Sequence, residues 1–151
     1  MEEKIFFAGE NEQTIDDKNR IILPAKYRRQ LGKKMMLTKG LEKCLYIFPK
    51  NQWENFLENL INKYGEMLKD ARLLRRYFAA NSEILKIDSQ NRILIPKKYK
   101  EFANIKKVIV IAGILNRVEV WAKDEWEKEM ELSEKKAVSA AEALGKNDYT
   151  V

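Results

Sequence analysis

The ten residues 15–24, with the sequence IDDKNRIILP, decide the fold because they occur a second time as IDSQNRILIP at residues 87–96. The two stretches align without a gap at a shift of 72 residues, so that the central Asp, Asn, Arg and Pro of each coincide. At shifts of 72 or 73 residues the match continues through Tyr27 and Tyr99, Gly40 and Gly113, Lys50 and Lys123, and Trp53 and Trp126. The chain is therefore a duplicated module. Two copies are too few for an open solenoid, so we expect halves of one packed unit or a pseudo-symmetric pair.

Within each copy the sequence predicts a hairpin, a short helix and a second strand pair. Residues 5–15 are expected to be extended, residues 16–19 to form a turn, and residues 20–23 to return as the partner strand. A short helix and a strand–turn–strand unit around Gly40 follow, and residues 83–121 repeat the order. The pattern predicts an α+β fold.

Helices are expected after each strand pair. Asn51 is a candidate cap for the first, and Asp124 for a final acidic helix. Apolar residues spaced three or four apart place one face of the first helix against the core or an oligomer partner: Trp53, Phe56, Leu57, Leu60, Ile61, Tyr64 and Leu68. A second helix links the copies over residues 70–80, and the tail from Ser133 is expected to be frayed or mobile.

Composition disfavours several classes of function. The chain is 45% hydrophobic and 34% charged, has no apolar run long enough for a bilayer and begins without signal-peptide features, which predicts a soluble, cytoplasmic protein without a membrane partner. It has no His, and no nucleophile motif or metal-ligand spacing occurs. Cys44 is expected to be a small buried apolar residue. We therefore predict a non-enzyme with no catalytic residue, metal, cofactor or small-molecule substrate.

Positive charge gathers on the repeated stretch. The net charge is +6 and the isoelectric point about 9.3, and residues 16–34 alone carry +5 while residues 86–100 carry +4. Residues 119–135, in contrast, carry −4. The module thus has a basic and an acidic end, and the basic end suggests an acidic partner.

The turn residues have a structural interpretation. Asp16 and Asp88 are expected to accept hydrogen bonds from loop amides or to pair with the Arg four residues on. Asn19 and Asn91 tolerate the positive φ that such a turn requires.

The arginines Arg20 and Arg92 have two interpretations. Each could simply begin a strand, but the guanidinium fork matches phosphate oxygens and the O6/N7 edge of guanine, and a two-stranded ribbon fits the major groove of B-DNA. The other basic residues form either a solvated face or phosphate contacts. Their recurrence beside the same Arg favours phosphate contact: Lys18, Lys26, Arg28, Arg29, Lys97, Lys98 and Lys100. The aromatic residues Tyr46, Trp53, Trp121 and Trp126 are expected in the core rather than stacked on bases.

Taken together, these motifs resemble the MraZ family of bacterial transcriptional regulators, built from two SpoVT–AbrB-type domains. The resemblance extends over about residues 6–130. It rests on the stretches 14–20, 23–28, 37–41, 44–45, 88–92, 95–96 and 116–121. In place of the Gly that usually precedes the motif Arg in the family, this chain has Asn19 and Asn91, and Asn is the next-best residue for a positive φ.

The resemblance implies a swapped-hairpin, AbrB-like β-barrel with flanking helices, a ring-shaped homo-oligomer, and binding to G-rich direct repeats in double-stranded DNA upstream of the division and cell-wall gene cluster. It also implies that Arg20 and Arg92 face DNA, and hence a nucleoid-associated protein. The expected division is domain 1 at 10–52, a helical connector at 53–81, domain 2 at 82–125, and a C-terminal helix and tail at 126–151.

Two other hypotheses stay open. One is an oligomeric structural or interaction module whose basic face serves solubility or a protein partner. The other, an enzyme acting on acidic substrates, has no candidate nucleophile, His or metal site to support it. Steep salt dependence of binding separates the DNA hypothesis from the interaction module, because each neutralised phosphate contributes about −0.9 to the slope of log K against log salt.

Overall fold

The structure, a computed structural model, describes residues 4–147 of the 151-residue chain. The first copy contains β1 (Glu10–Thr14), β2 (Arg20–Ile22), α1 (Ala25–Leu31), β3 (Lys34–Lys39), β4 (Cys44–Pro49), α2 (Lys50–Tyr64) and α3 (Lys69–Ala80). The second contains β5 (Ser82–Lys86), β6 (Arg92–Leu94), α4 (Lys97–Phe102), β7 (Val108–Ile114), β8 (Arg117–Ala122) and α5 (Lys123–Asn147). The predicted α+β class is confirmed. Within residues 4–147, none of the helices combines the length and apolarity needed to cross a membrane.

The two copies exchange strands. Six strands form one antiparallel sheet in the order β1-β7-β8-β4-β3-β5, so the first strand of each copy pairs with the third strand of the other, while β4 and β8 pair at the centre. The short strands β2 and β6 pair separately as a two-stranded ribbon. Each sheet therefore contains strands from both copies, and the repeat is a pseudo-symmetric pair within one packed unit.

The predicted hairpin between residues 5–15 and 20–23 is wrong, as is its repeat in the second copy. The turn forms, but β1 pairs with β7 and β2 pairs with β6. In the first copy a side chain takes the place of the missing partner strand: the Gln13 amide accepts from the Ile22 N–H at 2.8 Å and donates to the Ile22 carbonyl at 2.6 Å. The ribbon is preferred because it places Ile21 beside Ile93 over the core, each 1% exposed.

The central sheet is covered on both faces. The ribbon, α1 and α4 lie on one face, where Leu45 and Ile47 of β4 are buried, and α2, α3 and α5 lie on the other, where Tyr46 and Phe48 are buried. Because both faces are covered, β4 is buried along its whole length. The predicted core positions of the aromatic residues are confirmed, since Tyr46, Trp53, Trp121 and Trp126 are at most 8% exposed.

The helix ends differ from the prediction. Helix α2 begins at Lys50 directly after Pro49, so Asn51 lies inside it rather than capping it, and α5 begins at Lys123, one residue before the predicted cap Asp124. The segment from Ser133, predicted as a frayed or mobile tail, continues as helix to Asn147, because its Ala, Glu and Lys residues favour helix. Residues 1–3, used in the argument against a signal peptide, and residues 148–151 of the tail lie outside the described part of the chain.

Two matching tyrosines differ in their hydrogen bonds, which gives a test of the packing. The Tyr27 hydroxyl donates to the carbonyl of Gly9 at 2.8 Å, whereas the buried Tyr99 hydroxyl has no partner within residues 4–147. We expect Tyr27→Phe to lower the free energy of unfolding by about 1 kcal/mol and Tyr99→Phe to leave it unchanged or raise it slightly. Urea unfolding of the two variants measures this, and equal losses would contradict the assignment.

Candidate nucleic-acid interface

The ribbon presents both motif arginines on one face. In the β2–β6 register Arg20 pairs with Leu94 and Ile22 pairs with Arg92. Side chains alternate along a strand, so these four lie on the face opposite Ile21 and Ile93, which point to the core. Ile22 and Leu94 are 56% and 52% exposed. The two arginines are diagonal neighbours, and their Cα atoms are therefore about 7–8 Å apart.

A carboxylate fixes each arginine in its turn. Asp16 Oδ1 accepts from the backbone N–H of Lys18 at 3.0 Å and of Arg20 at 2.8 Å, and Asp16 Oδ2 accepts from Arg20 Nε at 2.8 Å. Asp88 repeats the arrangement with the backbone N–H groups of Gln90 and Arg92 and with Arg92 Nε, at 2.8, 2.9 and 2.8 Å. Each Asp thus orders the loop and orients the guanidinium.

This attachment leaves one edge of each guanidinium open. The carboxylate holds Nε, while the terminal amino groups of Arg20 and Arg92 have no hydrogen-bond partner among residues 4–147. The side chains remain 27% and 25% exposed, respectively. Two terminal N–H donors held in a plane are suited to bidentate contact with phosphate or with the guanine edge.

The Asn residues connect the two turns across the copies. Asn19 and Asn91 both have φ of 62°, in agreement with the positive φ that the turn predicts. Their carbonyls accept from the other copy: Asn91 O from the Leu23 N–H at 2.9 Å and Asn19 O from the Ile95 N–H at 2.8 Å. The turns are consequently fixed to each other as well as to their own strands.

The turn carboxylates predict a dependence of stability on pH. Hydrogen bonds from the backbone N–H of Arg20 and of Arg92 hold the pKa of Asp16 and of Asp88 below the usual 3.8. A lowered folded-state pKa stabilises the fold above the unfolded pKa, and this stabilisation is lost as pH falls through the folded pKa. We expect Asp16→Asn with Asp88→Asn to be less stable at pH 7 and to lose less stability between pH 5 and pH 2 than the wild type.

Urea midpoints at several pH values measure this difference. Asp17→Asn, a change at the exposed neighbour of Asp16, is the matched control. If the double variant follows the wild-type pH profile, the two turn carboxylates do not contribute to acid unfolding.

The flanking basic residues fall into two groups. Lys18, Lys26 and Arg29 are exposed, without an acidic partner in the described chain. The others make contacts within the protein: Arg28 with the Leu23 carbonyl at 2.9 Å, Lys100 with Asn19 Oδ1 at 3.0 Å, Lys97 with Glu101 at 3.8 Å and Lys98 with Glu83 at 3.4 Å. The first copy therefore offers more unpaired positive charge beside the ribbon than the second.

Some residues that shape the site were not predicted from the sequence. The Gln13 side chain hydrogen-bonds to the backbone of β2. The matching residue of the second copy is Leu85, so the repeat does not mark this position as functional. The sequence pattern does predict that Ile22 and Leu94 are exposed, because they alternate along their strands with the buried Ile21 and Ile93.

The metal-ligating and nucleophilic side chains elsewhere in the described chain can be compared with the prediction. No group of three or more Cys, Asp or Glu residues within 4–147 is arranged to hold a metal ion. The Cys44 thiol is fully buried, as predicted, and burial raises its pKa. A buried thiol with a raised pKa is a poor nucleophile.

The duplicated module, its exchanged strands and its two arginine-bearing turns define a class of protein in which two sequence repeats share their sheets. The family described as "MraZ protein, putative antitoxin-like" matches this chain twice, at residues 6–77 and 78–147. The chain belongs to the MraZ family.

Relatives named as transcriptional regulators match the sequence of this chain over most of its length. The transcriptional regulator MraZ of Clostridium tetani is 43% identical over 122 residues, which are 81% of this chain and 85% of that protein. The protein of the same name from Oenococcus oeni is 45% identical over 122 residues, with the same two shares. That of Caldicellulosiruptor saccharolyticus is 39% identical over 140 residues, 91% and 97% of the two chains. By homology the chain is a transcriptional regulator.

Proposed function

We propose that the protein is a sequence-specific DNA-binding regulator, not an enzyme, and that it acts on G-rich direct repeats upstream of the division and cell-wall gene cluster. Arg20 and Arg92 contact guanine edges in the major groove. The flanking basic residues neutralise phosphates: Lys18, Lys26, Arg28, Arg29, Lys97, Lys98 and Lys100. The observation that carries this proposal is that both arginines lie on one exposed ribbon face, held through Nε with their terminal amino groups open.

The dimensions of the ribbon support base contact. A two-stranded ribbon fits the major groove, and a diagonal separation of about 7–8 Å corresponds to about two base-pair steps of roughly 3.4 Å. Asp16 and Asp88 orient the guanidinium groups before DNA arrives, so less side-chain freedom is lost on binding.

The assembly forms a further part of the proposal. Each copy supplies one SpoVT–AbrB-type domain, 10–52 and 82–125. The described strands form an open six-stranded sheet and a separate ribbon rather than a closed barrel, and the exchange of strands between the copies is the feature that supports a swapped-hairpin arrangement. Several protomers form a ring that presents ribbons to successive repeats of nucleoid DNA. The helical layer on the far side of the sheet has apolar surface for such contacts, since Met67, Leu68 and Leu73 are 92%, 53% and 53% exposed.

Binding of the wild type to a G-rich repeat and to a scrambled duplex over a salt series tests this function. We expect tighter binding to the repeat and a steep fall of affinity with salt on both duplexes, about −0.9 in slope for each phosphate contacted. Equal affinity for the two duplexes with little salt dependence would favour the alternative, an oligomeric interaction module without specific DNA contacts.

A further inference from the structure

The two Asn residues of the repeated turns are not equivalent. Asn19 is half-buried, and its Oδ1 accepts from Lys100 Nζ at 3.0 Å. Asn91 has the same φ but is exposed, and its side-chain amide has no partner within residues 4–147. One turn therefore presents a free amide beside its arginine, and the other does not.

The difference arises from the residue that would cover each amide. At the shift of 72 residues Lys100 matches Arg28. Lys100 reaches across to the turn of the other copy, whereas the Arg28 guanidinium donates to the Leu23 carbonyl of its own copy at 2.9 Å. The Asn91 amide is consequently left uncovered.

The Asn91 side chain makes no intramolecular contact that the turn needs. The turn uses the backbone of Asn91: its positive φ, and its carbonyl, which accepts from the Leu23 N–H at 2.9 Å. Glycine would provide both. The exposed Asn91 amide, directly before Arg92 in the chain, is therefore available to a ligand that Arg92 contacts.

We propose that Asn91 is a specificity-determining residue that selects adenine beside the guanine contacted by Arg92. This inference rests on the proposed function. An Asn amide donates to adenine N7 and accepts from adenine N6, a bidentate pair in the major groove. At Asn19 the Oδ1 already accepts from Lys100 Nζ at 3.0 Å, and this contact holds the amide and competes with such a pair. The two turns of one chain thus recognise different bases. The turn of the second copy accepts fewer base sequences than the turn of the first.

The test compares Asn91→Gly with Asn19→Gly, two variants that make the same chemical change at the same φ. Binding of each, and of the wild type, is measured to a set of duplexes in which every base pair of the G-rich repeat is changed singly. We expect Asn91→Gly to lose the preference for adenine at one position by about tenfold while keeping the guanine preferences. Asn19→Gly is expected to keep that adenine preference. Thermal unfolding verifies that both variants fold.

The outcomes separate this inference from the proposed function. If Asn91→Gly keeps every base preference, or if Asn19→Gly loses the same one, the role of Asn91 is overturned while DNA recognition stands. If the wild type itself shows no base preference, both proposals are overturned. As a second variant, Asn91→Asp keeps the acceptor but removes the donor, and it is expected to lose the adenine preference as well.

Discussion

Loss of both motif arginines is expected to remove the preference for the G-rich repeat. Each bidentate arginine–guanine pair contributes about 1–3 kcal/mol of discrimination, so Arg20→Ala with Arg92→Ala should reduce the ratio of affinities for repeat and scrambled duplex by about thirtyfold or more. Each single variant should fall between the double variant and the wild type, because the two arginines occupy equivalent places in the ribbon. Competition binding at one fixed salt concentration measures the ratio.

The control for this experiment removes a positive charge from the opposite side of the molecule. Arg76 is exposed on α3, in the helical layer that lies across the sheet from the ribbon. Arg76→Ala is expected to leave the ratio unchanged. If it lowers the ratio as much as Arg20→Ala does, net charge rather than the ribbon governs the preference.

The second large effect is expected on stability, beneath the ribbon. Ile93 is 1% exposed and pairs with Ile21 over the core. Truncation of such a side chain removes buried apolar contacts and leaves a cavity, so Ile93→Ala should lower the free energy of unfolding by about 2–5 kcal/mol. DNA binding near the unfolding transition should weaken with it, because the ribbon that carries the arginines is anchored through this residue.

Ile22→Ala is the matched control because it makes the same chemical change on the other face of the ribbon, where Ile22 is 56% exposed. It should change the free energy of unfolding by less than about 0.5 kcal/mol. Denaturant unfolding of the two variants tests the orientation of the ribbon. If both variants lost a similar free energy of unfolding, the assignment of Ile93 to the buried face and Ile22 to the exposed face would be contradicted.

The partners of the first two strands of each copy could not be predicted from the sequence. The duplication, the turn at residues 16–19 and the strand pair around Gly40 all follow from local patterns. The alternation of side chains in Arg20–Ile22 predicts which of them is buried. It does not indicate which strand pairs with β2, because the alternation would be the same beside any partner. The true partner, β6, lies about seventy residues further on, whereas the local pattern favours the nearer β1.

The same limit applies to the candidate site. The repeat identified the arginines and the turn carboxylates, and the spacing of four residues anticipated the Asp16–Arg20 pair. Contacts between the copies carry no such signal, and Lys100 and Asn19, for example, lie 81 residues apart in sequence. These contacts make the two copies unequal, although their motifs are nearly identical.

The most direct test of base recognition by the ribbon uses a variant that keeps the two positive charges and lacks the two planar guanidinium groups. Arg20→Lys with Arg92→Lys keeps two cations but loses the planar forks that Asp16 and Asp88 orient. We predict that this variant binds the scrambled duplex with nearly wild-type affinity and salt dependence, while the ratio of affinities for the G-rich repeat and the scrambled duplex falls at least thirtyfold, about 2 kcal/mol. An unchanged ratio would contradict recognition of guanine by the two arginines.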